Sequence, residues 1–480
     1  MRSAERRFID TVEPILRLMP TVPRPREALG MGSRLLWTFL AITVYLLMSI
    51  TPLYGLRETS FFASPAIAAI LGISFGTLAQ LGITPIVVAG IILEILVFSD
   101  MINIDLEDPE DQAKFNALLK LLSIVLGLLE AVALVTSGQL VPYSPAILYG
   151  SLIVIQLFIA TVIIVLMDDM ISKGWGLGSG ISLFILVTII RQMFAEAFTP
   201  FVPPGSTIPL GVIPALAAAI YYAVGGKLAY LMSILYRTNL PSLTGLVATI
   251  ALALIVLYLE LMEVSIPVAL VQYRGYKFSI PLKLMYVSVL PIIFTAYTVY
   301  LIGEGLTLLW SAYNRANANP WLNWIASATI GPNGQIIPNP NSLLYYFTVV
   351  PPNINAAYIA VHIIMYAALS VIFAIVWVSL AGLSAEDQAR YIVQGGMQIP
   401  GFRPSPKVIA KFLDRYIRML TIVSGLIVGV IAALGDIAGV FGGGIGLILV
   451  IEIIIQYYSL ALQEQLFEIY PGLKRLIGKE

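Results

Sequence analysis

Long apolar runs separated by short polar segments follow one another along almost the whole chain. Most runs hold about 20 residues, the length at which an α-helix crosses the hydrocarbon core of a bilayer. A membrane β-barrel would show segments of about 10 residues with alternating polarity, and the chain lacks that pattern. The runs predict ten membrane-spanning helices, spans 1 to 10, at about 33–54, 75–98, 115–137, 146–167, 178–198, 242–263, 283–306, 356–381, 417–439 and 443–463.

Two further apolar segments need a decision. Residues 57–73 are apolar in part but too short to cross comfortably. Residues 212–236 are long enough, but Gly225, Gly226 and Lys227 stand in the middle. Counting 212–236 as a span would give eleven crossings.

The basic residues favour ten spans. With ten, 22 of the 27 Lys and Arg residues lie on the side of both termini and five on the other. The positive-inside rule then makes both termini cytosolic. An eleventh crossing would move Arg274, Lys277 and the Arg390–Arg418 group outside. Residues 212–236 are therefore predicted to be an external surface helix.

The spans predict an all-α polytopic membrane protein with two pseudo-symmetric five-helix halves, an organisation that many membrane transport folds share. The N-terminal half covers 33–200 and the C-terminal half 242–463, joined by an external loop, 201–241. Residues 1–32 mix basic and apolar positions, which predicts a cytosolic amphipathic segment on the membrane surface. Residues 464–480 form the cytosolic tail.

Composition agrees with a lipid environment and narrows the chemistry. Hydrophobic residues make up 59% of the chain and charged residues 11%, with a mean hydropathy of +0.91, whereas soluble domains carry about 25% charged residues. The absence of cysteine excludes disulfides, thiolate metal sites and thiol catalysis. A single histidine, His362, argues against imidazole metal clusters and catalytic triads. We therefore expect no enzyme activity, no metal and no cofactor.

Three spans begin with glycine-dense turns that branched aliphatic residues follow. The turns read "LGITP" at 81–85, "GLGSG" at 176–180 and "GGGIG" at 442–446. Isolated glycines in membrane helices often serve only close helix packing. The clustering also fits helices that start inside the membrane, because irregular backbone is tolerated there where it lines a water-filled cavity.

Five separated motifs are similar to signatures of the SecY family, which supplies the large channel subunit of the Sec protein-translocation complex. The spacing and loop lengths resemble the archaeal branch of that family most closely. The motifs are "LGITPIVVAGIILEIL" (81–96), "GWGLGSGISLFI" (174–185), "IPLKLMYVSVLPII" (280–293), "GFRPSPK" (401–407) and "GGGIGLIL" (442–449).

The resemblance implies an hourglass pore between the two halves, with an aliphatic ring at its constriction. An apolar neck offers ions neither charge nor hydrogen bonds and gates by dewetting, yet it can yield around an unfolded polypeptide. The alternative is that these are ordinary core residues. The implied ring residues are Ile83, Val87, Ile181, Ile185, Ile293 and Leu449.

The resemblance also gives residues 57–73 the role of a plug, a re-entrant helix that fills the external vestibule. Small side chains bury little area, so displacing them costs little at about 25 cal/mol per Å² of apolar surface. An ordinary external loop with one helical turn is the alternative. The implied plug residues are Phe61, Phe62, Ala63, Pro65, Ala66, Ala69 and Gly72.

Two basic cytosolic loops, 268–283 and 395–416, correspond to the loops with which the family docks the ribosome. The implied phosphate-binding residues are Arg274, Lys277, Arg403, Lys407 and Lys411. A solvated loop that merely obeys the positive-inside rule is the alternative. The resemblance further implies SecE-like and Sec-beta-like small membrane subunits, signal peptides and nascent preproteins as partners, with the lipid bilayer as surroundings.

One intramembrane carboxylate has a possible role in the same framework. Glu130 lies deep in span 3, beside the family's lateral gate, where ionisable groups are functional candidates. Two departures from the family affect this gate: Val88 stands where relatives often have Thr, and span 7 contains no Asn.

The leading hypothesis is a passive protein-conducting channel in the cell (plasma) membrane that translocates unfolded preproteins and releases transmembrane segments sideways into lipid. No G-x-x-x-x-G-K-[ST] sequence is present, so energy has to come from an external motor. The alternative is an ion-coupled secondary transporter with broken helices, which predicts converging polar groups in spans 2, 5 and 7. An intramembrane protease would need a Ser/His pair, an H-E-x-x-H helix or a pair of membrane aspartates, and a single histidine without a convincing aspartate pair in the spans argues against it.

Overall fold

The structure, a computed structural model, describes residues 19–27, 29–57, 75–99, 101–102, 104, 109–138, 140–202, 207–237, 240–270, 276–287, 289–331, 336–348, 354–400 and 405–469. The helices are α1 (Met31–Ile50), α2 (Thr84–Phe98), α3 (Pro109–Thr136), α4 (Ala146–Met170), α5 (Gly180–Phe198), α6 (Val212–Val224), α7 (Ala229–Leu235), α8 (Leu243–Glu260), α9 (Val289–Tyr313), α10 (Pro320–Ile325), α11 (Leu343–Phe347), α12 (Ala356–Leu380), α13 (Ala385–Gln394), α14 (Pro406–Ile437) and α15 (Gly443–Ile469). The strands are β1 (Glu263–Leu270), β2 (Tyr276–Lys283), β3 (Ala328–Ile330), β4 (Ile336–Pro338) and β5 (Met397–Gln398).

Every predicted span overlaps one of these helices, and the predicted helical membrane fold is confirmed. Nine helices in the described part of the chain are long and apolar enough to cross a membrane. The exception is α2, because residues 75–83 form turns and the helix begins only at Thr84. Its 15 residues extend about 22 Å at 1.5 Å per residue, less than the roughly 30 Å hydrocarbon core.

The segment predicted as one surface helix, 212–236, forms two short helices, α6 and α7. The break falls at Gly225, Gly226 and Lys227, where the sequence shows its glycine pair. Gly226 has a φ of +82°, a left-handed conformation that glycine adopts at little cost and that ends a helix. The interruption follows directly from the residue type.

The chain divides into two compact units. Unit 1 comprises the described parts of Met1–Ala218, Leu306–Asn339 and Ile453–Glu480, and unit 2 those of Ala219–Gly305 and Pro340–Glu452.

In unit 1, a buried aliphatic cluster joins α3 and α4 to the turns that precede α2. Its fully buried members include Ala131 on α3 and Ile153 and Leu157 on α4. Leu53 and Leu81, which flank the undescribed segment 58–74, pack into the same cluster. The cluster therefore holds the described residues on either side of that segment together with α3 and α4.

In unit 2, α12 and α14 approach so closely that only glycine fits at two positions. A Cβ at Gly429 would lie 2.6 Å from the Tyr366 carbonyl oxygen and 2.7 Å from Ala367 Cα. A Cβ at Gly425 would lie 2.9 Å from Val371 Cα. The two glycines are four residues apart on one face of α14, the small-xxx-small arrangement that lets membrane helices pack backbone against backbone.

A β-hairpin, which the all-α prediction omitted, follows α8 in unit 2. Strands β1 and β2 pair antiparallel from Glu263 opposite Lys283 to Leu270 opposite Tyr276, and β5 pairs with the end of β1. Alternate residues Ile266 and Val268 are buried, and they join a cluster with α13 and the first turns of α14. The predicted loop 268–283 is thus largely sheet, stabilised by its period-two apolar face.

The connecting segment 308–352 contains several short elements in its described residues. It contains the end of α9, the short helix α10, the two-stranded sheet of β3 and β4, and α11. Residues up to Asn339 belong to unit 1 and residues from Pro340 onward to unit 2.

We predict that Gly429→Ala destabilises the protein, because the new methyl group has to push α12 away along its length. Overpacking of this kind costs about 1–3 kcal/mol, which thermal unfolding in detergent would detect. The matched control is Gly305→Ala, since a Cβ at Gly305 meets nothing within 4 Å. Alanine should be neutral or slightly stabilising there. Equal melting temperatures for the two variants would contradict the close-packing account.

Candidate functional site

A proline lies at the start of α2, and two of the six predicted pore residues lie at or near this start. Ile83 is the residue before the helix, and Pro85 lies within the first two helical positions. Because proline has no N–H group, one of the donors that a helix start leaves unpaired is removed. Ile83 and Val87 are both buried, and the Val87 amide donates to the Ile83 carbonyl at 3.1 Å.

The start of α5 depends on a carboxylate from the preceding helix. Asp168, near the end of α4, accepts a hydrogen bond from the Ile181 amide at 3.0 Å. A Cβ on Gly180 would lie 2.6 Å from Asp168 Cα, so only glycine admits the carboxylate this close. Ile181 is half-buried and Ile185 is buried, so two predicted pore residues occupy the first turns of a helix that Asp168 anchors.

The turn between α4 and α5 is held by hydrogen bonds from three other parts of unit 1. The Leu177 amide donates to Thr38 Oγ1 at 3.0 Å, and the Tyr457 hydroxyl donates to the Ser179 carbonyl at 2.8 Å. The Trp175 indole N–H donates to the Pro23 carbonyl at 2.8 Å. The conformation of this turn is therefore fixed from several directions.

Next to Asp168, the side chain of Asp169 joins three groups. It accepts from Lys120 Nζ at 2.5 Å, Lys173 Nζ at 2.9 Å and the Val22 amide at 2.9 Å. Lys173 also donates to the Val22 carbonyl at 2.6 Å. Neither aspartate was predicted from the sequence to fix α4 and α5. The signal was two aspartates closing an apolar run directly before a glycine-dense turn.

The start of α15 in unit 2 repeats the arrangement at α5. Asp436, near the end of α14, accepts from the Gly444 amide at 2.7 Å. Asp436 Oδ2 also lies 3.5 Å from His362 Nε2. His362 is completely buried, with ring centroids of Tyr358 and Tyr366 at 5.0 and 4.3 Å. Sequence reasoning did not single out Asp436.

The remaining pore candidates, Leu449 and Ile293, also occupy early helical turns. Leu449 is buried in the second turn of α15, and Ile293 is buried in the second turn of α9. Two residues after Ile293, the hydroxyl of Thr295 lies 3.3 Å from that of Ser370 and joins α9 to α12. This polar contact lies in α9, the helix of span 7, where the family commonly has an Asn and this chain has none.

All six predicted pore residues are aliphatic and lie at or near helix starts. Ile83, Val87, Ile181 and Ile185 belong to unit 1, and Ile293 and Leu449 belong to unit 2. The predicted plug residues Phe61, Phe62, Ala63, Pro65, Ala66, Ala69 and Gly72 lie outside the described residues.

The carboxylates of the helices differ in their surroundings. Glu130 is half-buried on α3. Glu260, the last residue of α8, is buried and forms an ion pair with Lys283 at 3.3 Å. Glu452 is buried within α15. Span 7 was predicted to end at 306, which placed Glu304 near its end. Because α9 continues to Tyr313, Glu304 lies inside that helix.

The candidate docking residues are only partly described. Arg274 and Arg403 lie outside the described residues, and Lys277 lies on β2 opposite Ala269. Lys407 is exposed in the first turn of α14. It borders an open groove of about 630 Å³ between α13 and α14. The groove also carries the charged side chains of Glu386, Arg390, Lys411, Asp414 and Arg418.

A tyrosine fastens the hairpin to α13 beside this groove. The Tyr286 hydroxyl donates to the Leu383 carbonyl at 2.7 Å. Burial, together with the nearby charge of Asp387, raises the pKa of Tyr286 to about 12. The hydroxyl therefore remains protonated and able to donate throughout the neutral range.

Comparison with known proteins agrees with the motifs. A family model described as SecY matches residues 77–458. The protein translocase subunit SecY of Saccharolobus solfataricus is 39% identical over 98% of this chain and 100% of its own. A solved structure of a SecY protein, whose plug domain stabilises the closed state of its translocation channel, superposes with a TM-score of 0.77. It is 30% identical, over 96% of this chain and 98% of that one. Sec61 from the canine ribosome-channel complex of the endoplasmic reticulum gives 0.73 at 29% identity, over 96% and 98%.

The family match includes all five quoted motifs, from 81–96 to 442–449. The relative from S. solfataricus is archaeal, which agrees with the expected branch. The similarity extends over nearly the full length of both chains, and the apolar helices make this a multi-pass membrane protein. The resemblance drawn from the motifs is confirmed, and the chain belongs to the SecY family.

Proposed function

We propose that this chain is the protein-conducting subunit of a translocase, which passes unfolded preproteins across the membrane and releases transmembrane segments sideways into lipid. The observation that carries the proposal is the set of six aliphatic residues at helix starts. Ile83, Val87, Ile181 and Ile185 follow two interrupted helix entries, and Ile293 and Leu449 lie in the second turns of α9 and α15. All are buried except Ile181, which is half-buried.

These six side chains line the constriction of the channel. An aliphatic constriction gives a passing ion no group to replace its hydration shell, so it stays closed to ions by dewetting. Dispersion contacts are non-directional and individually small, about 0.1–0.2 kcal/mol per atom pair. The same side chains therefore rearrange around any polypeptide sequence. Residues 57–73 act as the plug on the external side, and Glu130 biases the lateral gate.

The chain works in the cell membrane with both termini in the cytosol, which the distribution of 22 basic residues against five supports. Its partners are SecE-like and Sec-beta-like subunits, signal peptides, nascent preproteins and the ribosome. Sec61 in the canine ribosome-channel complex supports the ribosome as a partner. Since the chain has no Walker A motif, translation or another motor supplies the force.

We predict that a translocating chain contacts the aliphatic residues directly. The chain has no cysteine, so Ile83→Cys, Ile185→Cys and Leu449→Cys each create one reactive thiol. A stalled preprotein that carries a single cysteine should form a disulfide with each of the three variants, detected as a shifted band on a non-reducing gel.

The matched control for this crosslinking is Ile250→Cys on α8, whose side chain is 55% exposed on the outer surface. It should give no crosslink. If the complex retains the preprotein while none of the three thiols reacts, the pore assignment is wrong, and an ion-coupled transporter becomes the hypothesis to test.

We predict that Asp436 positions α15 and with it Leu449. In Asp436→Ala the Gly444 amide loses its acceptor, and leaving a buried donor unpaired costs about 1–3 kcal/mol. The variant should melt at a lower temperature and crosslink less at Leu449→Cys. Asp436→Asn keeps an acceptor oxygen and should retain more of both.

The control for the capping role is Asp414→Ala, which removes an exposed ion pair to Arg418 at 2.9 Å. Surface pairs of this kind contribute about 0–1 kcal/mol, so this variant should resemble the parent. Parent-like behaviour of Asp436→Ala in both assays would show that the cap does not position α15.

We predict that Lys407 and Lys411 contact ribosomal RNA phosphates. The double variant Lys407→Glu/Lys411→Glu should bind ribosomes more weakly, and its affinity should fall less steeply with salt, by about one unit of slope for each lost contact. Sedimentation with ribosomes at several salt concentrations measures this. Lys227→Glu, an exposed charge reversal on the predicted external side, is the control. An unchanged salt slope in the double variant would count against this docking surface.

A further inference from the structure

Two tryptophans on the short helix α10 are almost fully exposed. The side chain of Trp321 is 85% exposed and that of Trp324 is 77% exposed. Ile325, on the next position, is 41% exposed. Residues three and four positions apart lie on one face of a helix, so Trp321, Trp324 and Ile325 form a single apolar face, called here the tryptophan face.

Buried asparagines hold α10 against the end of α9. Asn314 is 3% exposed, and its Nδ2 donates to Asn323 Oδ1 and to the Ala326 carbonyl, each at 2.9 Å. Asn317 Oδ1 accepts from the Trp310 indole N–H in the last turn of α9 at 3.1 Å. The short helix is therefore fixed to the helix that precedes it.

Further hydrogen bonds fix the rotation of α10. Asn319 Oδ1 caps the helix by accepting from the Trp321 amide at 3.1 Å. Asn323 Nδ2 donates to the Asn317 carbonyl at 3.0 Å, and Asn317 Nδ2 donates to the Ala328 carbonyl at 2.9 Å. The asparagine side of α10 thus faces the protein, and the tryptophan face is held outward in one orientation.

The position of α10 along the chain sets its depth in the membrane. Helix α9 is apolar enough to span and ends at Tyr313, and Asn314, which binds α10, is the next residue. The interfacial layer on each side of the hydrocarbon core is about 6 Å thick. A helix hydrogen-bonded to the end of a span lies at that level, where tryptophan is enriched because its ring is apolar and its N–H is polar.

The distribution of charged residues around α10 indicates that this segment contacts lipid and not water. No Asp, Glu, Lys or Arg occurs from Ala316 to Asn355, whereas Arg315 stands immediately before this stretch. Asp, Glu, Lys and Arg side chains lie mostly on water-exposed protein surfaces. A segment lying against lipid lacks such charges within it, and a flanking arginine can reach phosphate headgroups.

We propose that the tryptophan face inserts into the headgroup–acyl boundary of the bilayer and anchors the far end of α9 to the lipid surface. The asparagine network supplies the rigidity: it prevents the two indoles from turning inward to be buried in the protein. The ligand is the lipid interface itself, and the inference depends only on α9 spanning the membrane and not on what the protein conducts.

The test labels the cysteine-free chain at one position with an environment-sensitive fluorophore. Trp324→Cys is labelled and the full chain is reconstituted into phosphatidylcholine vesicles that carry a spin label either at the headgroup or at mid-chain, with iodide as the aqueous quencher. We expect headgroup-level quenching to exceed mid-chain quenching for this label, together with weak quenching by iodide.

Two control positions calibrate the depth. Ile250→Cys, near the middle of α8 and 55% exposed, should be quenched more by the mid-chain label. Glu386→Cys, whose native side chain is 79% exposed on α13, should be quenched mainly by iodide. A label at position 324 that follows the Glu386 pattern would place the tryptophan face in water, and one shielded from all three quenchers would place it against protein. Either result would overturn the proposal.

The native side chains provide an independent measurement. The emission of the parent minus that of Trp321→Phe/Trp324→Phe reports these two indoles alone, because the other four tryptophans are common to both proteins. Both substituted positions are exposed, so the variant should fold. Transfer of the protein from amphipols to lipid vesicles should shift this difference spectrum to shorter wavelength. An unshifted spectrum would contradict insertion.

Discussion

A helix that begins within apolar surroundings has to find partners for its first backbone N–H groups, because no water is available to accept from them. This chain meets that requirement in the same way twice. Asp168 accepts from the Ile181 amide at the start of α5, and Asp436 accepts from the Gly444 amide at the start of α15. In both cases the carboxylate comes from the last turns of the preceding helix, and the positive end of the helix dipole favours its negative charge. Helix α2 instead has Pro85 directly after its first residue, Thr84, and the proline removes a donor.

Fixed helix starts allow the following turns to be entirely apolar. Once a carboxylate of the preceding helix has paired the backbone donors, the first turns need no polar side chain of their own. They can therefore carry aliphatic residues such as Ile185 and Leu449. The charges that hold the architecture are displaced to helix ends, as with Asp169 and its two lysines or Glu260 and Lys283. The proposed constriction depends on these aliphatic turns, because an apolar neck gates by dewetting.

The sequence was informative where one physical signal dominates. Apolar length predicted a helix in every span, but the break in 212–236 was not predicted, although the glycine pair stands at that point. The β-hairpin was not predicted, because its alternation of buried Ile266 and Val268 is short and the basic residues of the same segment favoured a loop. The late start of α2 at Thr84 was missed because the turns before it are as apolar as the helix. The roles of Asp168 and Asp436 depend on contacts across a chain reversal, which periodicity does not encode.

The single histidine illustrates why composition and position answer different questions. One histidine argues against a catalytic or metal cluster, yet it says nothing of why that residue is present. In the structure His362 lies completely buried between Tyr358 and Tyr366, with Nε2 3.5 Å from the carboxylate that caps α15. A buried carboxylate needs more than one favourable neighbour, since removing a charge from water costs several kcal/mol. The Gly444 amide at the helix start supplies one, and His362 packs beside the same carboxylate at the start of α15.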